Sequence, residues 1–153
     1  MSITSSLGLL CMLMLFHSGY TEHILYRINV RTGDVAGAGT DARIYIILHG
    51  ARGSTDRIGL PDDEGDKFER GSLDSFTVSA ENVGRLRSIT IGHDNKMWRP
   101  GWFLRDVRIY QNVEPGYEHI QEPGFNAYQF NWNNWIASNE LDGTIVKTIS
   151  VAS

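Results

Sequence analysis

Residues 32–50 read TGDVAGAGTDARIYIILHG, with three glycines and two aspartates in ten residues followed by an alternating apolar run. The run decides the fold. Ile44, Ile46 and Leu48 fall at every second position, which turns one face of an extended strand into a core and leaves the other wet. The loop before it admits two chemistries. Glycines cradle phosphate where a strand leads into a helix, whereas aspartates beside glycine turns suit a hard cation.

The same period of two recurs along the chain. HILYRINVR carries Ile24, Tyr26, Ile28 and Val30 on one face, SFTVSA carries Phe76, Val78 and Ala80, and RSITIGH carries Ile89 and Ile91. WFLRDVRIY is predicted to place Phe103, Val107 and Ile109 together, and AYQF and TIVKTIS read as shorter, later strands. Strands in such a series, separated by Gly, Asp, Asn and Pro, describe an antiparallel sandwich or barrel. No stretch shows a sustained helical stripe, so the strand-to-helix context for phosphate is missing. Two long connections, 50–75 and 111–126, are charged or rich in Pro-Gly steps, as functional or mobile loops are.

At 153 residues the chain has room for one domain with its own core. A net charge of −4 argues against a nucleic-acid partner, which demands a concentrated basic surface. The five histidines fall in no metalloprotease spacing, no nucleophile elbow is present, and scattered carboxylates are ordinary solvated surface. The expectation is a protein that is not an enzyme. Residues 7–16, LGLLCMLMLF, are too few to span a bilayer, and 1–19 read as a signal peptide. That makes the protein secreted, the alternative being a cytoplasmic protein held peripherally at a membrane. The single cysteine, Cys11, would leave with the leader.

Four blocks in order carry a resemblance: TGDVAGAGTDARIYIILHG, KFERGSLDSFTV, LRSITIGHDNKMWRPGWFLRDVRIY and YQFNWNNWI. Together they resemble the PLAT domain, the lipoxygenase homology or LH2 domain, and are most similar to the units of lipoxygenase homology domain-containing proteins. The family often has a cysteine just before its final tryptophan, where this chain has Trp132. The resemblance implies an all-β, C2-like antiparallel sandwich of two four-stranded sheets over residues 20–137, with 138–153 as a C-terminal tail. It also implies calcium-assisted binding of membrane lipids or of a membrane-associated protein. Two alternatives are a calcium-independent protein-interaction domain, whose partner contacts a sheet face, and a targeting domain detached from a lipoxygenase-like enzyme. Neither a particular partner nor an oligomeric state follows from it.

Within that frame the opening loop becomes a candidate calcium site. Asp41 would supply a carboxylate, while Gly33, Asp34 and Gly39 would supply carbonyls or a second one. His93, Asp94 and Asn95 form the matching loop. Calcium takes six to eight oxygens, which glycine-rich turns can aim at one point. Asp62, Asp63, Glu64 and Asp66 are a third source of oxygens. The same residue types also make ordinary turns, since Asp and Asn side chains bond nearby amides. Trp102, Phe103 and Trp135 read as core. Trp98 differs, because it sits in a charged turn with Lys96, Met97 and Arg99, where an indole suits a membrane interface and the cations suit lipid phosphates.

Overall fold

The computed structural model describes residues 21–98, 100–113, 127–138 and 145–153. The signal-peptide reading at 1–19, Arg99, and most of the 111–126 connection lie outside the described residues. Nine strands run in chain order: β1 His23–Thr32, β2 Ile44–Gly50, β3 Gly53–Ser54, β4 Ile58–Leu60, β5 Leu73–Glu81, β6 Leu86–His93, β7 Trp102–Gln111, β8 Ala127–Ile136 and β9 Val146–Ser150. One sheet has the order β5-β1-β7-β8. The other has the order β3-β2-β6-β9, with β4 also on β2, and all pairings are antiparallel.

Two four-stranded sheets were expected, and the second has five strands. The fifth comes from the 50–75 connection, which contains β3 and β4. Because β6 holds one side of β2, both short strands pair along the other, β4 with residues 44–46 and β3 with residues 49–50. They form one interrupted edge, so the sheet is still four positions wide. The sandwich also continues past residue 137, since β9 pairs with β6 from Ser88↔Ser150 to Gly92↔Val146. That strand lies inside the span read as a tail.

The core follows the alternation. Tyr26, Ile28 and Val30 from β1, Ile44, Ile46 and Leu48 from β2, and Ile89 and Ile91 from β6 are all buried between the sheets. Strand β7 departs from the expectation. Trp102 and Leu104 are buried there, while Phe103 is half-buried on the opposite side and pairs edge-to-face with Trp135 at 5.4 Å. A bulge explains the change. Against β1 the register steps from Arg31↔Asp106 to Thr32↔Leu104, leaving Arg105 without an opposite residue. One extra residue switches the face on which every earlier side chain lies.

Phe68 is a core residue supplied by a loop. It is buried among the charges of KFER, stacks on Phe76 at 5.6 Å and meets the Trp102 ring edge-on at 5.7 Å. Trp102 Nε1 donates to Thr32 Oγ1 at 3.0 Å, so the largest buried side chain leaves no polar atom unpaired.

Candidate functional site at the loop end

The β1–β2, β4–β5 and β6–β7 loops meet at one end of the sandwich, and backbone hydrogen bonds set their positions. Phe103 N donates to Ala38 O at 3.0 Å, and Thr40 N donates to Phe68 O at 3.2 Å. The buried Thr40 hydroxyl donates to Pro100 O at 3.0 Å and accepts from Ala42 N at 3.1 Å. Arg43 and Asp94 form a second clasp, in which Arg43 N donates to Asp94 Oδ1 and Asp94 N donates to Arg43 O, both at 3.2 Å.

Most of the predicted calcium ligands have other work. Gly33 is needed for close approach, because a Cβ there would lie 2.4 Å from the Phe103 ring. Its carbonyl already accepts from Gly71 N at 3.0 Å. Gly39 passes the backbone of Phe68, Glu69 and Arg70 so closely that a Cβ would sit 3.1 to 3.2 Å from it. Asp34 is held by Arg70 Nε at 2.7 Å in an exposed ion pair. His93 is buried with both ring nitrogens committed, Nδ1 accepting from Asn95 N at 3.1 Å and Nε2 donating to Ile136 O at 2.8 Å. A ring so held offers no lone pair to a metal. Burial lowers its pKa below the usual imidazole value, against the opposing pull of the Ile136 hydrogen bond and the Asp94 charge.

Asp94 Oδ1 also accepts from Lys96 N at 3.1 Å, so this carboxylate caps its own turn. Desolvation pushes its pKa up, but the hydrogen bonds from Lys96 and Arg43 N–H and the charges of those two side chains together hold it below the ordinary value. Asp41 is different: it is exposed on the wall of a hollow of about 710 Å³ that Arg43, Leu60, Asp62, Asp63 and Met97 also line. Asp94 is not on that wall. The structure therefore sets Asp41 in the lining of the same hollow as the acidic 62–63 step. Asp62 Oδ1 is engaged by the N–H groups of Asp66 and Lys67, both at 3.1 Å. Among the described residues no three His, Cys, Asp or Glu side chains gather as a metal-ligating group. The wall has the oxygen chemistry that calcium prefers, without the convergence that a closed site requires.

The turn beyond Asp94 projects outward. Asn95 and Met97 take φ values of 55° and 72°, a region that non-glycine residues occupy only under local constraint. Met97 is 71% exposed and Trp98 87%. Lys96 shares this exposed turn.

An antiparallel two-sheet sandwich with three stapled loops and an apolar tip at one end defines a C2-like β-sandwich domain. A family model described as the PLAT/LH2 domain matches residues 26–148, and the chain belongs to that family. It is 41% identical over 126 residues to mouse lipoxygenase homology domain-containing protein 1, covering 82% of this chain and 6% of the relative. It is 36% identical over 129 residues to human polycystin-1-like protein 1, covering 84% of this chain and 4% of that protein. Among solved structures, coral 8R-lipoxygenase superposes with a TM-score of 0.66 at 28% identity, over 84% of this chain and 17% of the lipoxygenase. That lipoxygenase is described as calcium-activated through a C2-like domain. The chain thus spans a small part of each of these relatives.

Proposed function

We propose that this PLAT domain is a non-catalytic docking module whose loop end, led by Met97 and Trp98, seats on a lipid membrane or a membrane-associated protein. The observation that carries the reading is the exposure of two adjacent large apolar side chains on a turn that the fold holds outward. Burying part of an indole at an interface is worth about 1–2 kcal/mol by area, and a flanking lysine near an anionic surface adds about 1 kcal/mol. Those terms support weak, reversible docking. Arg99 would add a second cation.

Calcium belongs to the same reading, and its use by the coral lipoxygenase supports it. Asp41, Asp62 and Asp63 line the hollow that Met97 borders, and their charge would oppose an anionic surface. A calcium ion bound there would supply charge neutralisation beside the apolar tip. Asp41 is the carboxylate we assign to it. Sedimentation with phosphatidylcholine/phosphatidylserine vesicles, with and without millimolar calcium, tests the proposal. Binding that calcium strengthens and Trp98→Ala weakens is expected, and equal sedimentation of wild type and variant would overturn it. Secretion is part of the proposal too, and rests on the sequence of residues 1–19. A secreting cell should release a form that begins near residues 18–21, whereas retention of intact Met1 protein would refute it.

A further inference from the structure

The outer face of the β5-β1-β7-β8 sheet carries more positive charge than a solvated surface needs. An ordinary exposed face mixes both signs. Here Arg31 of β1 and Arg105 and Arg108 of β7 line a hollow of about 450 Å³ together with Asp106, Gln129 and Asn131. Three guanidiniums face one carboxylate on a chain whose net charge is −4. The β7 bulge creates this concentration. By adding Arg105 it turns two successive residues, Arg105 and Asp106, to the outside beside Arg31 and Arg108.

The arginines are poorly satisfied by their neighbours. Asp106 Oδ2 lies 3.9 Å from Arg31 Nε and 3.7 Å from Arg105 Nε, beyond hydrogen-bond distance in both cases. Arg31 Nε is buried and has no hydrogen-bond partner at all, and a buried donor left without an acceptor is costly. Arg108 Nε donates to the neutral Gln129 Oε1 at 2.8 Å and has no carboxylate within reach among the described residues. Guanidinium forks arranged this way match carboxylates, which they bind in two-pronged, charge-assisted pairs. Beside them on the edge strand β8 the Gln129 side chain bridges Arg108 and Asn131, its Nε2 donating to Asn131 Oδ1 at 2.9 Å, and the Asn131 amide nitrogen is a donor that suits the backbone of an extended peptide.

We propose that this hollow binds the carboxylate side chains of an acidic, extended protein segment, with Arg31, Arg105 and Arg108 as the anion-binding groups. A membrane is the poorer occupant, because no exposed apolar side chain lines the hollow, and the apolar tip at Met97 and Trp98 belongs to the β6–β7 loop. The site does not depend on that tip or on calcium. Fluorescence anisotropy of a labelled hexaglutamate peptide titrated with the full chain at low salt tests it. Saturable binding is expected, with hexaglutamine inert as the control. Arg105→Glu with Arg108→Glu should weaken binding by about tenfold or more, the scale of losing one close charge pair. Both side chains are solvent-accessible, and an unchanged melting temperature would verify that the fold survives. Arg105→Lys with Arg108→Lys should fall between, since charge is kept and the fork is lost, while Trp98→Ala should bind like wild type. No saturable binding at low salt, or no loss in the glutamate variant, overturns the proposal. So does equal loss in Trp98→Ala, which would move the peptide to the loop end. A glutamate variant that lost phosphatidylserine vesicles but kept the peptide would also overturn it, in favour of a lipid occupant.

Discussion

Trp98 and Trp102 stand four residues apart, one 87% exposed and the other fully buried. On either side of Trp102 the chain is pinned: Thr40 holds Pro100 O before it, and Ala38 O holds Phe103 N after it. Between the pins, Trp102 enters a site built by Phe68 and Phe76 and finds Thr32 Oγ1 for its N–H. Before them, the clasp between Asp94 and Arg43 and the left-handed residues Asn95 and Met97 turn Trp98 away from any such site. The lesson is that the same side chain becomes core or contact according to where neighbouring loops are tied down, and its own hydrophobicity does not decide which.

The contrast can be broken most forcefully at Trp102. Trp102→Ala should destabilise the domain by about 3–5 kcal/mol, the range for emptying a large aromatic site, whereas Trp98→Ala should stay within about 0.5 kcal/mol of wild type. Urea unfolding measures both, and comparable losses would show that Trp98 packs after all. Removing only the acceptor is a smaller insult. Thr32→Val keeps the shape and leaves Trp102 Nε1 buried and unpaired, for an expected loss of about 1–3 kcal/mol in the same assay.

On binding the ranking inverts. Trp98→Ala should weaken vesicle sedimentation roughly tenfold, near 1.4 kcal/mol, with the melting temperature unchanged. His93, at the base of the tip, gives a pH test. His93 is neutral in the fold with its pKa lowered, so the unfolded chain binds a proton more readily. Its contribution to stability is complete above about pH 6.5, the ordinary imidazole value, and is lost as pH falls from there through the lowered folded value. Wild type should therefore lose more melting temperature than His93→Gln between pH 7.5 and 5, and parallel curves would remove His93 from the account. The smallest expected effect is optical. Acrylamide should quench a fraction of the tryptophan emission that Trp98→Phe abolishes, leaving the buried Trp102 signal as it was.

Much of the sandwich was legible because a period of two is a local property. Ile44, Ile46 and Leu48, or Tyr26, Ile28 and Val30, declare their inward face without reference to any partner strand. Strands β3 and β4 were not, since two or three residues carry no period, and both exist only as the ragged neighbour of β2. Of the candidate site, the exposed tip at Met97 and Trp98 was readable from its charged surroundings. The Arg31, Arg105 and Arg108 face was not, because in sequence those arginines look like the wet half of two ordinary strands.

Four ordered blocks were enough to place the chain in its family, and with it in the all-β class with loops gathered at one end of the molecule. Which acidic and glycine residues share a place depended on how the loops pack in the folded molecule. Gly33 and Gly39 serve close packing, His93 spends both nitrogens on backbone groups, and Asp41 shares the lining of a hollow with Asp62 and Asp63. The physical reason is that a residue's type limits which bonds it can make, while distances between loops far apart in the chain settle which of those bonds are made. A single inserted residue in β7 shows the difference most plainly. It leaves the composition of the strand unchanged to the eye, yet it sends Trp102 inward, Phe103 to the other side and Arg105 with Asp106 to the surface, and only pairing with the neighbouring strands β1 and β8 reveals it.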